Sequence, residues 1–205
     1  MTAMQKRLRA PERRASILRE AAGLFADKGF HGVSVDDIAS AVGVSPAALY
    51  RYFRSKEALY EAVLDELACT REDYIETVLA GESDFAAVLR GLIRTFVRGM
   101  AEQPDLLKME LQSLLEGRAA ANSFFEHRWK TFTDYIEFSL NELQREGRVQ
   151  PLDARLSTLM FLGMVREALI VKCLPGQDRF AGRTLDELVD GLVRLFLRAV
   201  GYSRD

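Results

Sequence analysis

The chain has 205 residues, 48% of them hydrophobic and 28% charged, with a net charge of −2. This composition excludes a disordered or low-complexity chain and suits one large domain, or a small module joined to a larger one. Residues 1–60 carry ten Lys and Arg against six Asp and Glu, while residues 61–205 carry 18 against 24. A basic head on an acidic body is the asymmetry expected where only the head meets a polyanion, with chance fluctuation as the alternative.

Period-two alternation with β-branched enrichment is missing, and helical spacing recurs from end to end. Ile17, Ala21, Leu24 and Phe25 form one stripe of a first helix over about 12–28, and Gly29 stops it. Two short helices follow at 35–42 and 46–53. A long amphipathic one runs from Lys56 to about Leu79 with Leu59, Val63, Leu67, Tyr74 and Val78 on its apolar side. The body continues with helices over 84–101 (Phe85, Val88, Leu89, Leu92, Phe96 and Met100 inward), 104–116 and about 121–146. A further helix from about Asp153 to Lys172 has Leu156, Leu159, Met160, Gly163, Met164 and Ile170 on one side. Pro175-Gly176 break the chain. Thr184 with Glu187 three residues on is a capping-box pattern for the last helix, 185–200, whose stripe is Leu188, Leu192, Leu195, Phe196 and Ala199. The expectation is an all-α fold of about nine helices, divided into residues 1–55 and 56–205.

The stretch from Ser34 reads S-V-D-D-I-A-S-A-V-G-V-S-P-A-A-L-Y-R-Y-F-R-S-K-E. Ser34, also a candidate DNA contact, caps a first short helix, reciprocated by Asp37, and Gly43 supplies the left-handed residue that ends it. Ser45 caps a second helix, and Pro46 fits its first position, where a missing N–H is harmless. With Leu49 and Phe53 inward, Ser45, Pro46, Ala47, Ala48, Tyr50, Arg51 and Tyr52 occupy the outer side. A helix presented this way enters a major groove with its first residues at base edges. Ala47 and Ala48 suit a thymine methyl, Ser45 and Tyr50 bases or phosphates, and Arg51 and Tyr52 phosphate oxygens. Ser55 caps the following helix, and Lys56 stands at its start, where backbone N–H groups and an ammonium favour phosphate. The basic lead Lys6, Arg7, Arg9, Arg13 and Arg14 is either a phosphate or minor-groove contact or a solvated arm.

The run G-V-S-P-A-A-L-Y-R-Y-F-R-S-K-E, preceded by L-F-A-D-K-G-F-H-G-V-S-V-D-D-I-A, resembles the TetR/AcrR family of one-component transcriptional regulators over about residues 13–60. The family pattern often has Gly or Thr where Ala47 and Ala48 stand. The resemblance implies a helix-turn-helix domain of three N-terminal helices and a C-terminal ligand-binding and dimerisation domain. It also implies a homodimer paired through the last two helices, which represses from a palindromic DNA operator and is released by a small-molecule effector. The fourth helix, running from the DNA head toward the body, would link the two sites.

Candidate effector contacts are Phe96, Met100, Met109, Glu110, Phe125, Trp129, Phe132, Phe161, Met164 and Glu167. Apolar pockets with few polar groups are lined by such residues, and methionine adapts to varied shapes. The same stripe also reads as plain core. Glu110, His127, Arg128, Arg166 and Glu167 read either as ligand-orienting groups at inward phase or as solvated and ion-paired residues.

No apolar run approaches the roughly 18–20 residues that span a bilayer, and the basic start has no apolar stretch behind it. Neither a membrane partner nor a secretory signal is expected, and the bacterial cytoplasm is the expected location. Cys69 and Cys173 lack metal-ligand spacing, and no H-E-x-x-H, G-x-S-x-G or Walker loop occurs. No metal, cofactor or catalysis is therefore expected. The alternatives are a ligand-independent helical DNA-binding or protein-interaction module, a helical enzyme, and a thiol sensor at either cysteine.

Overall fold

A computed structural model describes residues 9–68, 84–117, 119–174, 176, 179–180 and 182–203. Lys6, Arg7, Cys69, Tyr74, Val78 and Pro175, singled out above, lie outside them. Among the described residues the secondary structure is entirely helical: α1 Ala10–Lys28, α2 Val35–Val42, α3 Pro46–Tyr50, α4 Lys56–Ala68, α5 Phe85–Glu102, α6 Pro104–Glu116, α7 Ala119–Arg145, α8 Ala154–Cys173 and α9 Leu185–Ala199. α1 starts two residues earlier than its apolar stripe requires, because Pro11 is tolerated in a first turn. α3 ends three residues earlier. Its chain then tightens, with Tyr52 and Phe53 N–H both donating to Leu49 O at 2.9 and 3.1 Å.

The chain divides into two compact units. One comprises residues 1–70 with Asp105–Asn122, so α6 joins α1 to α4; the other comprises residues 71–104 with Ser123–Asp205. The first unit therefore reaches past residue 55 and draws on a later part of the chain. Ile17, Ala21 and Phe25 of α1, Ile38 and Ala39 of α2, Leu49 of α3, and Leu59, Tyr60 and Val63 of α4 are buried in it. Phe25, Phe30 and Tyr60 meet at ring separations of 5.0 to 6.0 Å, with Tyr60 edge-on to both phenylalanines.

In the second unit α5 packs on both α8 and α9, and α8 on α9. Helix starts follow local chemistry. Asp153 accepts the Leu156 N–H at 2.9 Å, and Thr184 and Glu187 form the expected reciprocal cap. The inward faces differ from the expected stripes. In α9 the buried row is Val189, Val193 and Phe196; of the expected stripe Phe196 is buried as expected, while Leu195 is 56% exposed. In α8 Thr158, Phe161, Leu162, Val165 and Leu169 are buried, while Leu156, Leu159 and Met160 are exposed. Both helices are apolar on two flanks, and within one chain α5 covers only one of them.

Candidate nucleic-acid interface

The α2–α3 corner is built by short-range bonds. Ser34 Oγ accepts the Asp37 N–H at 3.0 Å, and Asp37 Oδ2 accepts the Ser34 N–H at 2.9 Å and its hydroxyl at 2.6 Å. Hydrogen bonds from the Ser34 hydroxyl and amide hold the Asp37 carboxyl below its usual range. Gly43 has φ 71° and ψ 40°, a left-handed conformation that glycine adopts without cost. It lets Val44 N–H return to Ala39 O at 2.9 Å. Ser45 Oγ accepts the Ala48 N–H at 3.2 Å and Pro46 opens α3.

Leu49 and Phe53 bury the inner side of α3, and its outer side is free. Ser45, Pro46, Ala47, Tyr50, Arg51 and Tyr52 are exposed and Ala48 half-buried. Seven of the nine residues expected to meet DNA thus lie on one short surface segment. Ser34 is exposed at the start of α2. Two arginines of the basic lead are engaged with this head: Arg13 donates to Val42 O at 3.4 Å, and the Arg14 guanidinium lies 5.2 Å from the Phe53 ring centre.

Lys56 is used differently from the expectation. Its Nζ donates to Phe30 O at 3.0 Å and Val33 O at 2.9 Å, and it stands 4.1 Å from the Phe30 ring centre. The ammonium is turned back onto the loop between α1 and α2, whose carbonyls lack helical partners. At the start of α4, Ser55 Oγ accepts the Ala58 N–H at 3.1 Å.

Two ties that sequence reasoning missed fasten α6 to the same head. Lys108 Nζ donates to Asp27 Oδ1 at 2.7 Å, which raises the lysine's pKa above its ordinary value. Glu116 Oε1 accepts the His31 N–H at 3.2 Å. Both span more than 80 residues of sequence, so no local pattern reports them.

The candidate effector residues fall into three groups. Phe96, Met100, Phe125, Trp129, Phe132 and Phe161 are buried in the second unit. Phe96 meets Trp129 at 4.7 Å and Phe132 at 4.8 Å between ring centres, and the Arg166 guanidinium lies 4.9 Å from the Trp129 ring. Met109 and Glu110 are buried in the first unit. Met164 is half-buried and Glu167 exposed: Val165, Ala168 and Leu169 take the inward face of α8, which turns residue 167 out. His127 is exposed too, and so is Phe138, because Ile136 and Leu140 hold the inward phase of α7. A cavity of about 720 Å³ between α5 and α9 has none of these ten residues in its lining.

Among the described residues no group of three His, Cys, Asp or Glu is placed to hold a metal ion, and no helix is long and apolar enough to cross a membrane. Burial pushes the Cys173 thiol above its ordinary pKa, which lowers its thiolate fraction.

Residues 17–63 match the model of the tetR family of bacterial regulatory proteins. The nucleoid occlusion factor SlmA of Haemophilus ducreyi is 31% identical over 145 residues, covering 67% of this chain and 69% of that protein. The HTH-type transcriptional regulator RutR of Escherichia coli is 26% identical over 204 residues, 95% of this chain and 94% of that one. Among solved structures, AibR in complex with isovaleryl coenzyme A and operator DNA superposes with a TM-score of 0.68 at 26% identity, covering 94% of this chain and 100% of that chain. The match at residues 17–63 falls on the α1–α4 head whose caps and outer face are described above, and the chain belongs to the tetR family of helix-turn-helix bacterial regulatory proteins.

Proposed function

We propose that the chain represses transcription as a homodimer on a palindromic operator and leaves it when a small hydrophobic molecule binds. The observation that carries this reading is the outer face of α3, where Ser45, Pro46, Ala47 and Tyr50 are exposed over a buried Leu49. In this reading Ala47 and Ala48 touch thymine methyls, Ser45 and Tyr50 reach base edges, and Ser34, Arg51 and Tyr52 hold phosphates. Lys56 serves mainly to fix the loop that presents this face. One short helix reads few bases, so selectivity calls for two, spaced by about one turn of DNA, ~34–36 Å. Support for the pairing surface comes from the uncovered apolar flanks of α8 and α9, with Leu156, Leu159, Met160 and Leu195 exposed. AibR, a structural relative, is named as a complex with an acyl coenzyme A and operator DNA.

The effector site in this reading is the aromatic cluster of the second unit, with Phe96, Met100, Phe125, Trp129, Phe132, Phe161 and Met164 around the ligand and Arg166 beside Trp129. Met109 and Glu110 belong to the first unit, on α6, which is tied to the head by Lys108–Asp27 and Glu116–His31. A ligand shifts DNA binding only by its preference for the DNA-incompetent state, and ~1–3 kcal/mol of coupling is typical. A second reading is a ligand-independent DNA binder. It is favoured by the edge-on packing of Phe96 against both Trp129 and Phe132 and by the name of the relative SlmA, a nucleoid occlusion factor.

The test is selection of binding duplexes from a random pool, followed by a screen for compounds that release them. Release by an apolar compound supports the sensor, and a selected duplex that no compound releases supports the second reading. Absence of any preferred duplex at low salt overturns both, and turnover of a bound compound would make the chain an enzyme.

A further inference from the structure

The facing sides of α5 and α9 form an antiparallel charge ladder. On α5 the row is Arg90, Arg94 and Arg98; on α9 it is Asp186, Asp190, Arg194 and Arg198, all at four-residue spacing. Arg98 pairs with Asp186, Arg94 with Asp186 at 3.4 Å and Asp190 at 3.0 Å, and Arg90 with Asp190 at 3.2 Å. One step further the α5 row changes to Ala86, while α9 continues with two arginines. Neither Arg194 nor Arg198 has a carboxylate partner among the described residues. Where a long side chain would have met them, the α5 position carries a methyl, and the space left is the 720 Å³ cavity.

The lining of that cavity comprises Arg90, Arg94, Arg194 and Arg198 against one carboxylate, Asp190, with Ala86 and Leu197 as apolar wall and Tyr202 at one end. Tyr202 is fixed there: its hydroxyl donates to Asp84 and accepts from Arg148 at 3.1 Å. Arg90 and Arg94 are already ion-paired with Asp186 and Asp190, which leaves the Arg194 and Arg198 guanidinium groups as two positive charges without a carboxylate, among the described residues, at a cleft of ligand size. Guanidinium groups bind phosphate oxygens through paired N–H donors, and several together prefer a polyanion. The cleft lies on the opposite flank of α9 from Leu188, Leu192 and Leu195, with the buried Val189–Val193–Phe196 row between, so pairing through those leucines leaves it open.

From this geometry we propose that the α5–α9 cleft is a binding site for a small organic polyphosphate of nucleoside diphosphate size. Its phosphates lie against Arg194 and Arg198 with Arg90 and Arg94 behind, and its body lies along Ala86 and Leu197. The site is separate from the aromatic cluster and from α3, so a ligand here acts in addition to any effector.

The test is calorimetric titration of the full chain with inorganic pyrophosphate, ADP and sulfate at low ionic strength. The expected result is saturable binding of one ADP or pyrophosphate per chain, with sulfate weaker by about tenfold or more, since it offers a single anionic group. Arg194→Gln with Arg198→Gln should weaken ADP by about tenfold or more while leaving the melting temperature unchanged, because both side chains are exposed. Arg51→Ala, on the DNA-facing segment, should leave ADP binding intact. No saturable binding, equal binding of sulfate, or ADP binding that survives the double substitution overturns the proposal. Displacement of ADP by short duplex DNA one for one, lost in Arg51→Ala, would place the anion on the DNA head and overturn it as well. None of these readouts depends on operator selection, so failure here is distinct from failure of the repressor reading.

Discussion

Glu116 reaches back to the end of α1: its Oε1 accepts the His31 N–H at 3.2 Å and lies against the bare Cα of Gly29, within the space a Cβ would need. Gly29 itself has φ 71°. Two independent constraints, a left-handed backbone and a carboxylate in the way, therefore act on one residue. Gly29→Ala is expected to cost about 2–4 kcal/mol, the sum of the strain of a positive φ with ψ 173°, a region essentially confined to glycine, and a displaced charge-assisted hydrogen bond. Glu116→Ala alone removes only the bond to His31. The double variant should be less destabilised than the sum of the singles, because the alanine then has room. Urea unfolding of the four proteins measures this, and strict additivity would show that Glu116 and Gly29 are uncoupled.

Lys56 and Arg51 separate fold from recognition. The Lys56 ammonium holds two carbonyls, Phe30 O and Val33 O, and half its surroundings are protein. Lys56→Met should lower stability by about 1.5–3 kcal/mol, the range for hydrogen bonds to a charged group. Arg51 is exposed with its side chain toward solvent. Arg51→Ala should leave the melting temperature unchanged, weaken operator and non-operator duplexes alike, and reduce the slope of log K against log salt by about one. Thermal melts and salt-titrated DNA binding read both. An Arg51→Ala protein with an unchanged salt slope would remove Arg51 from the phosphate contacts.

Features of the two units differ in how openly the sequence displays them. The caps at Ser34, Ser45, Ser55 and Thr184 and the turn at Gly43 are decided within four residues, so the residue types alone point to them. Phases that depend on distant partners are another matter. Leu188, Leu192 and Leu195 form as good a stripe with Phe196 as Val189 and Val193 do, and only the seat of α9 on α5 and α8 selects the valine side for the core. The direction of Lys56 is likewise set by carbonyls 23 and 26 residues away. Glu167 looked inward beside Met164 and Val165, yet α8 turns its Val165 flank to the core. Periodicity identifies an apolar helix; it does not identify which neighbour covers which flank.

The Ser34–Asp37 cap carries a pH signature. The Ser34 hydroxyl and amide hold the Asp37 carboxyl below its usual range, so the folded state binds its proton less tightly than the unfolded one. That stabilisation is complete above the ordinary carboxylate value of about 4 and disappears as pH falls through the lower folded value. Asp37→Asn should therefore be less stable than the parent chain at pH 7, with the gap narrowing as pH falls below about 4. Denaturant midpoints across pH measure it; a gap that stays constant with pH would mean that the ionised form has no advantage in the cap.

Leu195 on α9 and Met160 on α8 are 56% and 65% exposed, on flanks that the other described residues leave uncovered. Exposed large apolar side chains occur singly on most proteins, but two adjacent helices with aligned apolar flanks form a patch of the kind that pairing buries. A glutamate at either position places a charge where a two-fold axis would bring its copy close, so each substitution counts twice. Leu195→Glu and Met160→Glu should each shift the protein from dimer to monomer in sedimentation equilibrium at micromolar concentration. The helical circular dichroism should be retained, because neither side chain belongs to the buried rows. Operator affinity should fall steeply in both, since a monomer carries one recognition helix. Affinity for a single half-site duplex should change by less than about twofold, because the α3 face is untouched. Monomers that still bind the full operator with parental affinity would show that recognition does not depend on this pairing.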